Sequence, residues 1–466
     1  MCRFDRRDEE VFMRKLLLAT MAATMALIGG AGIANAQSVT YPALLPGTGP
    51  FSAAAPTPGT VTVRLGGRMQ TYFGFESGTG DRISPVSGTY AGGSFKEANY
   101  AMGNLIYLYP SVDGVAANGL QYGAFIELRD ENYINAGGGS ISGISATDRT
   151  QSVYVRRSYT YLGSASFGTF RFGTADGPAS LFEIGDFEGF NDGGWNGEGE
   201  SLFNSGAQPS FPWPSGQGFA YATNHLVYLS PQFSGFDFGV SFEPNSTSGG
   251  YNGNCPYASP GCATLSSSTV AGDAGRRRNT IEVGGRYRGT IGPVALASDL
   301  LWVGSQHVES GLGVSERYHG LNYGSVGLTA TFGGLTIGGN GMYGDFNSGW
   351  ALTPVGEKAS SALILGVQYT VGPLTVGGSV YGFNSTDHMN VTSPTVGNYR
   401  AKGLATGGTY SIAPGISAYL SLLVGDQKQN GYNLLGSGEV ITSKGVNIAH
   451  NQTSVQGLTI GTNIRW

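Results

Sequence analysis

Val61-Thr62-Val63-Arg64-Leu65-Gly66-Gly67-Arg68-Met69-Gln70-Thr71-Tyr72-Phe73 alternates between apolar and polar side chains. The odd positions are mostly apolar, and the even ones carry Thr62, Arg64, Arg68 and Gln70. Successive side chains of a strand point to opposite faces, so this stretch has one greasy face and one polar face. Strands of soluble domains run about five or six residues. A tilted strand that crosses a bilayer needs about 9–11. The quoted stretch has the longer, membrane-crossing length.

Fifteen further segments repeat the pattern, near 98–110, 119–131, 152–164, 167–174, 219–230, 236–243, 279–290, 293–304, 318–332, 334–345, 361–371, 373–383, 399–411, 415–425 and 452–466. Their connections alternate in length. Short ones are Ser164-Ala165-Ser166, the run from Ser230 to Gly235, Ile291-Gly292, Gly333, Gly372 and Ala413-Pro414, built on tight-turn residues. Long ones lie near 76–97, 132–151, 175–218, 244–278, 305–317, 346–360, 384–398 and 426–451; the stretch 111–118 is intermediate and counts with the short ones. Short turns at one end and long loops at the other mark a bacterial transmembrane barrel. An unpaired backbone group in lipid costs several kcal/mol, so such a sheet must close on itself. Sixteen strands enclose more space than side chains can fill. The expected fold is therefore all-β, a sixteen-stranded antiparallel transmembrane barrel with both chain ends on the short-turn side. The last segment agrees: Leu458, Ile460, Ile464 and Trp466 share one face, and an aromatic end suits an interfacial girdle. Phe332 and Tyr381 are expected in the same girdle role at strand ends.

Composition narrows the class. The chain has 78 Gly, 25 Tyr and 23 Phe, with only 12% charged residues. Met13-Arg14-Lys15, the apolar run Leu16 to Ile28 and Ala34-Asn35-Ala36 read as a secretion signal over residues 1–36, with Met13 a candidate start. Residues 37–59 read as a loose extension ahead of the barrel at 60–466. Removing the signal takes away five bases and four acids, leaving a net charge of −6. That argues against a nucleic-acid partner. Cys255 and Cys262, the two cysteines of the processed chain, read as a disulfide closing a small loop. The five histidines are scattered, and no nucleophile elbow, zinc motif or phosphate-binding loop occurs. No catalytic residue, metal or cofactor is expected.

The stretch Ala175 to Gly218 stands apart. Its seven acids, Asp176, Glu183, Asp186, Glu188, Asp192, Glu198 and Glu200, meet no Lys or Arg within it. Loops beyond about 12–15 residues are usually functional or disordered, and Pro209-Ser210-Phe211-Pro212-Trp213-Pro214 argues against disorder. Two readings stand on these residues: a loop folded into the lumen against a wall of arginines, or an acidic loop on the cell surface.

The chain resembles the general porins of Gram-negative bacteria, especially alphaproteobacterial members and among them those of acetic-acid bacteria. The resemblance rests on Val63-Arg64-Leu65-Gly66-Gly67-Arg68, Asp113-Gly114-Val115-Ala116-Ala117-Asn118-Gly119-Leu120, Tyr154-Val155-Arg156-Arg157, Gly168-Thr169-Phe170-Arg171-Phe172-Gly173 and Tyr228-Leu229-Ser230-Pro231-Gln232-Phe233. It implies a homotrimer of outer-membrane barrels that passes small hydrophilic solutes and ions, and it puts the third long loop, Ala175–Gly218, inside the lumen. It also implies contact with lipid and lipopolysaccharide, and a C-terminal Trp466 read by barrel-assembly machinery. The Pro-Glu-Phe-like signature common in that loop is missing here, and Phe187-Glu188-Gly189-Phe190 stands as its substitute.

Strand parity turns Arg64, Arg68 and Arg171 inward, together with Arg286 and Arg288. Along 152–164 a single parity puts Arg156 inside with Ser158, and sends Arg157, Tyr159 and Tyr161 outward. An outward arginine costs about 2–4 kcal/mol at mid-membrane, so Arg157 demands a rim, an interface or a bulge. The expected constriction wall is Arg64, Arg68, Arg156 and Arg171, faced by Asp176, Glu183, Asp186, Glu188 and Asp192 on the loop. The triplet Arg276-Arg277-Arg278 is expected on a solvated rim. Two alternatives remain: a channel selective for a solute such as a sugar, with Trp195, Phe211 and Trp213 as an apolar slide, or a barrel enzyme.

Overall fold

In the computed structural model, the alternating segment becomes the strand Val61–Gly78, and its two neighbours are the next strand and the last one. The structure describes residues 58–83, 95–96, 98–131, 153–187, 190, 195, 199, 203, 207–214, 223–245, 277–306, 318–387, 389, 396–435, 441–442, 445–446 and 450–466. Sixteen strands close one antiparallel barrel. They are β1 (Val61–Gly78), β2 (Tyr100–Val115), β3 (Gln121–Glu131), β4 (Tyr154–Ser164), β5 (Gly168–Ala175), β6 (Thr223–Leu229), β7 (Phe236–Asn245) and β8 (Arg278–Ile291), followed by β9 (Val294–Gln306), β10 (Asn322–Phe332), β11 (Leu335–Asp345), β12 (Ser360–Val371), β13 (Leu374–Ser385), β14 (Tyr399–Ala413), β15 (Ile416–Gln429) and β16 (Gln452–Arg465). Each overlaps one segment expected from alternation. One segment divides: Tyr318–His319 leaves the barrel to pair with Thr353–Pro354 above it.

Closure comes from β1, which pairs with β2 (Gln70 opposite Leu105) and with β16 (Gln70 opposite Asn463). The tight turns need backbone that L side chains avoid. Gly292, Gly333 and Gly372 sit at φ 57, 57 and 54, where a Cβ would be strained.

Parity then divides most described strand side chains between two faces. Val63, Met102, Leu365 and Ile460 are exposed on the outside, as a lipid-facing surface requires, while Gln70, Glu127, Arg171 and Glu282 are buried on the inside. Trp466 lies on the outer face over Gly67, with main-chain bonds of 3.0 and 3.1 Å joining the two residues. Phe332 is exposed on the outside in the manner of a girdle residue, but Tyr381 is not. Tyr381 is 5% exposed and faces the lumen from the middle of β13.

One register shift corrects the parity of β4. Glu127 of β3 pairs with Arg157, but its neighbour Leu128 pairs with Val155, so Arg156 is an extra residue. Such a bulge reverses the facing of everything beyond it. Arg157, Tyr159 and Tyr161 consequently face the lumen and Ser158 faces out. The expected parity held only above the bulge. Arg156 itself still reaches Glu127, at 3.4 Å.

Candidate functional site

The inner faces of β1–β5 form a basic wall. Arg64 pairs with Asp113 at 3.1 Å, and the Tyr161 hydroxyl donates to the same carboxylate. Arg68 donates to Gln70 and lies 5.5 Å from the centre of the Tyr107 ring; Arg129 lies 4.1 Å from that ring. Glu127, 1% exposed, gathers three guanidinium groups: Arg129 at 2.5 Å, Arg156 at 3.4 Å and Arg157. A carboxylate buried this deeply is tolerable only with such compensation. Arg171 points inward as expected, but at 2% exposure it is sealed over the Tyr159 ring, 5.1 Å away, and does not reach lumen water.

The chain leaves β5 at Ala175, directly opposite Thr223 of β6. The described residues that follow lie against the inner wall of the barrel. Asp176 pairs with Arg157 at 2.6 Å, so one guanidinium ties the root of the loop to Glu127 of the wall. A single helical turn, α1 (Pro178–Leu181), rests on two inward glycines. A Cβ on Gly239 would lie 2.9 Å from Pro178 Cγ, and one on Gly284 would lie 3.1 Å from Pro178 Cβ. The Ala179 amide donates to Glu282 at 2.8 Å, and Glu282 also meets His225 Nε2 at 3.2 Å. Arg286 forks onto Asp237 at 3.1 and 2.6 Å, donates to the Leu181 carbonyl at 3.0 Å and covers the Phe182 ring at 4.4 Å.

Beyond α1 the loop follows the wall strand by strand. The Ile184 amide donates to Asp299 of β9 at 2.6 Å, and its carbonyl accepts from Asn340 of β11 at 2.9 Å. Phe187, held at φ 51, seats on Gly366 of β12, where a Cβ would collide with its ring. Phe190 seats on Gly377 of β13, and its carbonyl accepts from Thr409 of β14 at 3.2 Å. Trp195 covers Gly403 of β14 and Gly425 of β15, and Phe203 covers Gly457 of β16. The return path is tied by Thr453 to the Ala207 carbonyl at 3.0 Å, by the Ser210 amide to the Tyr399 hydroxyl at 2.9 Å and by Trp213 Nε1 to Asn340 at 3.0 Å. Tyr381 meets Trp195, Phe211 and Trp213 edge-on at 5.8, 5.2 and 6.0 Å.

Two expectations change here. Trp195, Phe211 and Trp213 are 2%, 4% and 0% exposed, so they fasten the loop and line no slide. Arg277 is not on a solvated rim: it is 3% exposed, 3.5 Å from Glu243 and 5.2 Å from the centre of the Trp350 ring. Of the expected loop acids, Asp176 is buried on Arg157, while Glu183 and Asp186 are half-buried on the segment against β9–β11. Glu188 and Asp192, the disulfide cysteines and the signal segment lie outside the described residues. Asp113, Glu127, Asp237 and Asp299 were missed by sequence reasoning. Their signal was an acid at an inward position of a strand.

The glycine track yields a prediction. Gly366→Val should force Phe187 off β12, at an overpacking cost of about 1–3 kcal/mol. Increased current noise in planar bilayers and a lower unfolding midpoint are the expected readouts. Gly285→Ala, outward-facing with nothing within 4 Å of an added Cβ, should change neither.

A family model described as Gram-negative porin matches residues 21–430. The chain belongs to the Gram-negative porin family. The porin is thus an outer-membrane channel protein and carries out no chemical step. Among solved structures it is similar to an anion-selective porin from Comamonas acidovorans (17% identity, 87% of this chain and 100% of that one, TM-score 0.49). It is similar also to OmpT of Vibrio cholerae in a trimer form (13%, 87% and 99%, 0.49) and to a mutant of the Rh. blastica porin (11%, 87% and 100%, 0.41). Comparison with curated proteins returns no match.

Proposed function

We propose that this porin passes small hydrophilic solutes and ions by passive diffusion, and that the loop 175–218 opposite the basic wall sets its narrowest section. One observation carries this reading: from Asp176 to Trp213, the described loop residues bond to and pack on lumen-facing side chains and glycines of β4 and β7–β16. A loop held there narrows the water column without plugging it. Arg64, Arg68 and Arg156, joined by Arg129, form the charged wall, with Arg171 bracing it from behind. Glu183, Asp186, Glu188 and Asp192 supply the opposing charge, and Asp176 anchors the loop. A transverse field between such groups orders water and screens solutes by size and charge.

A solute-selective channel is the second reading, and burial of the three loop rings weighs against it. The homotrimer, the signal at 1–36, the Cys255–Cys262 disulfide and the reading of Trp466 by assembly machinery complete the proposal; the OmpT structure named above is in a trimer form. The narrower likeness to porins of acetic-acid bacteria rests on the quoted sequence stretches alone.

Reversal potential in a salt gradient tests the wall. Replacing Arg64, Arg68 and Arg129 together with Gln should shift it toward cation preference. An unchanged potential would remove these residues from the ion path.

A further inference from the structure

Behind the root of the loop, two carboxylates, a guanidinium and an imidazole are buried together: Glu243 of β7, Glu282 of β8, Arg277 just ahead of β8 and His225 of β6. Arg277 pairs with Glu243 at 3.5 Å, and the Thr223 hydroxyl donates to the same carboxylate. Glu282 has one oxygen 3.2 Å from His225 Nε2, and its other oxygen accepts from the Ala179 amide at 2.8 Å. Gly177 packs so close to that carboxylate that an added Cβ would strike it. Glu282 therefore stands between the histidine and α1.

The ring's neighbours fix its charge. Nδ1 lies 2.9 Å from the Thr223 carbonyl, which can only accept. It also lies 3.3 Å from the Thr223 hydroxyl, whose proton is committed to Glu243. Nε2 faces a carboxylate. A neutral imidazole has one N–H and would leave a bare nitrogen against an acceptor; the imidazolium has a donor for each side. Charge balance agrees. Glu243 and Glu282 against Arg277 alone leave one buried negative charge, and a protonated His225 cancels it. Around this group, β5 presents Gly173 opposite His225, β8 adds the neutral Thr280 opposite Glu243, and Asp176 of the loop is held by Arg157. Tyr323 of β10 lies near both Glu282 and the half-buried Glu183 of the loop, and Glu183 can only add to the negative excess.

We propose that His225 is a proton-operated latch on the root of the loop. With the ring charged, Glu282 is balanced and holds the Ala179 amide, so α1 stays seated on Gly239 and Gly284. When the ring gives its proton to water, a buried carboxylate is stranded beside a bare nitrogen. A stranded buried charge is strongly destabilising, and this one is relieved by opening the root to water. The cluster lies where the long loops leave the barrel, since β6 begins at Thr223, β7 ends at Asn245 and β8 begins at Arg278. The latch therefore exchanges its proton with the medium on the long-loop side. Histidine is the side chain whose charge changes near neutral pH. The stability supplied by the charged ring is present below the pH at which the ring titrates and is lost above it. That sign makes the loop quiet in acid and loose in alkali. The effect on current rests on the reading of this loop as the constriction.

The test follows single-channel current and denaturant unfolding of the full-length porin from about pH 5 to about pH 10. Wild type should pass from quiet to flickering current as pH rises, with flicker about tenfold or more frequent on the alkaline plateau and a lower unfolding midpoint there. His225→Gln leaves the cluster one charge negative and should flicker at every pH. Glu282→Gln should be quiet at every pH, because its amide oxygen still accepts from Ala179 while its NH2 donates to the bare nitrogen of a neutral ring. The double variant H225Q/E282Q should be quiet as well. A purely structural ring would instead make Glu282→Gln as noisy as His225→Gln, and that result would overturn the latch. So would a pH step that survives unchanged in His225→Gln. A step in unfolding midpoint that depends on His225, with no step in current, would uphold the latch and count against the loop as the constriction.

Discussion

Excising residues 178–220 and joining β5 to β6 through a short glycine turn is expected to raise single-channel conductance severalfold. The operation is geometrically mild, because Ala175 and Thr223 are already cross-strand partners. The barrel keeps every strand pairing that closes it. The rings of Phe187, Phe190, Trp195, Phe203, Phe211 and Trp213 are lost from the wall, and each buried ring contributes roughly 1.5–3 kcal/mol. The variant should therefore unfold at a lower denaturant concentration while conducting more. Both changes are read on one purified sample, by planar-bilayer recording and by tryptophan-independent far-UV unfolding. A conductance equal to wild type would mean that the narrowest section lies elsewhere.

Arg157→Gln is expected to have the second largest effect. Its guanidinium touches two carboxylates, Glu127 of the wall and Asp176 of the loop, whose side chains are 1% and 3% exposed. Glu127 keeps Arg129 and Arg156, so the loss falls mainly on Asp176. Removing one partner of a buried ion pair costs about 3–5 kcal/mol, chiefly through the stranded charge. The root of the loop should loosen, visible as flickering current and a lowered unfolding midpoint. Arg157→Gln combined with Asp176→Asn removes the stranded charge and should recover a substantial part of the stability. Equal stability of the single and double variants would show that Asp176 does not depend on Arg157.

Alternation and connection length made the sixteen strands legible, because lipid outside and water inside impose opposite demands on adjacent residues. Where that contrast fades, the sequence carried less. The bulge at Arg156 breaks parity without any special residue; only the cost of an outward Arg157 hinted at it. Tyr159 and Tyr161 looked lipid-facing because tyrosine suits both an interfacial girdle and a lumen that needs stacking surfaces for arginine. Tyr381 misled in the same way. The track of Gly284, Gly366, Gly377, Gly403, Gly425 and Gly457 was invisible, since glycine has no face to read and the loop it receives is distant in sequence. The acidic loop and the inward Arg64, Arg68 and Arg171 were readable as charges on a parity. Their division into water-facing and buried members was not, because it depends on which ring covers which guanidinium.

The account turns on a water-filled lumen narrowed by an inward loop. Swelling of proteoliposomes in neutral sugars of graded size measures that lumen directly. Intact porin should admit small sugars quickly and larger ones progressively more slowly, and the loop-excised barrel should move the cut-off to larger sugars. Liposomes that stay sealed to the smallest sugar, or a cut-off indifferent to the loop, would contradict it.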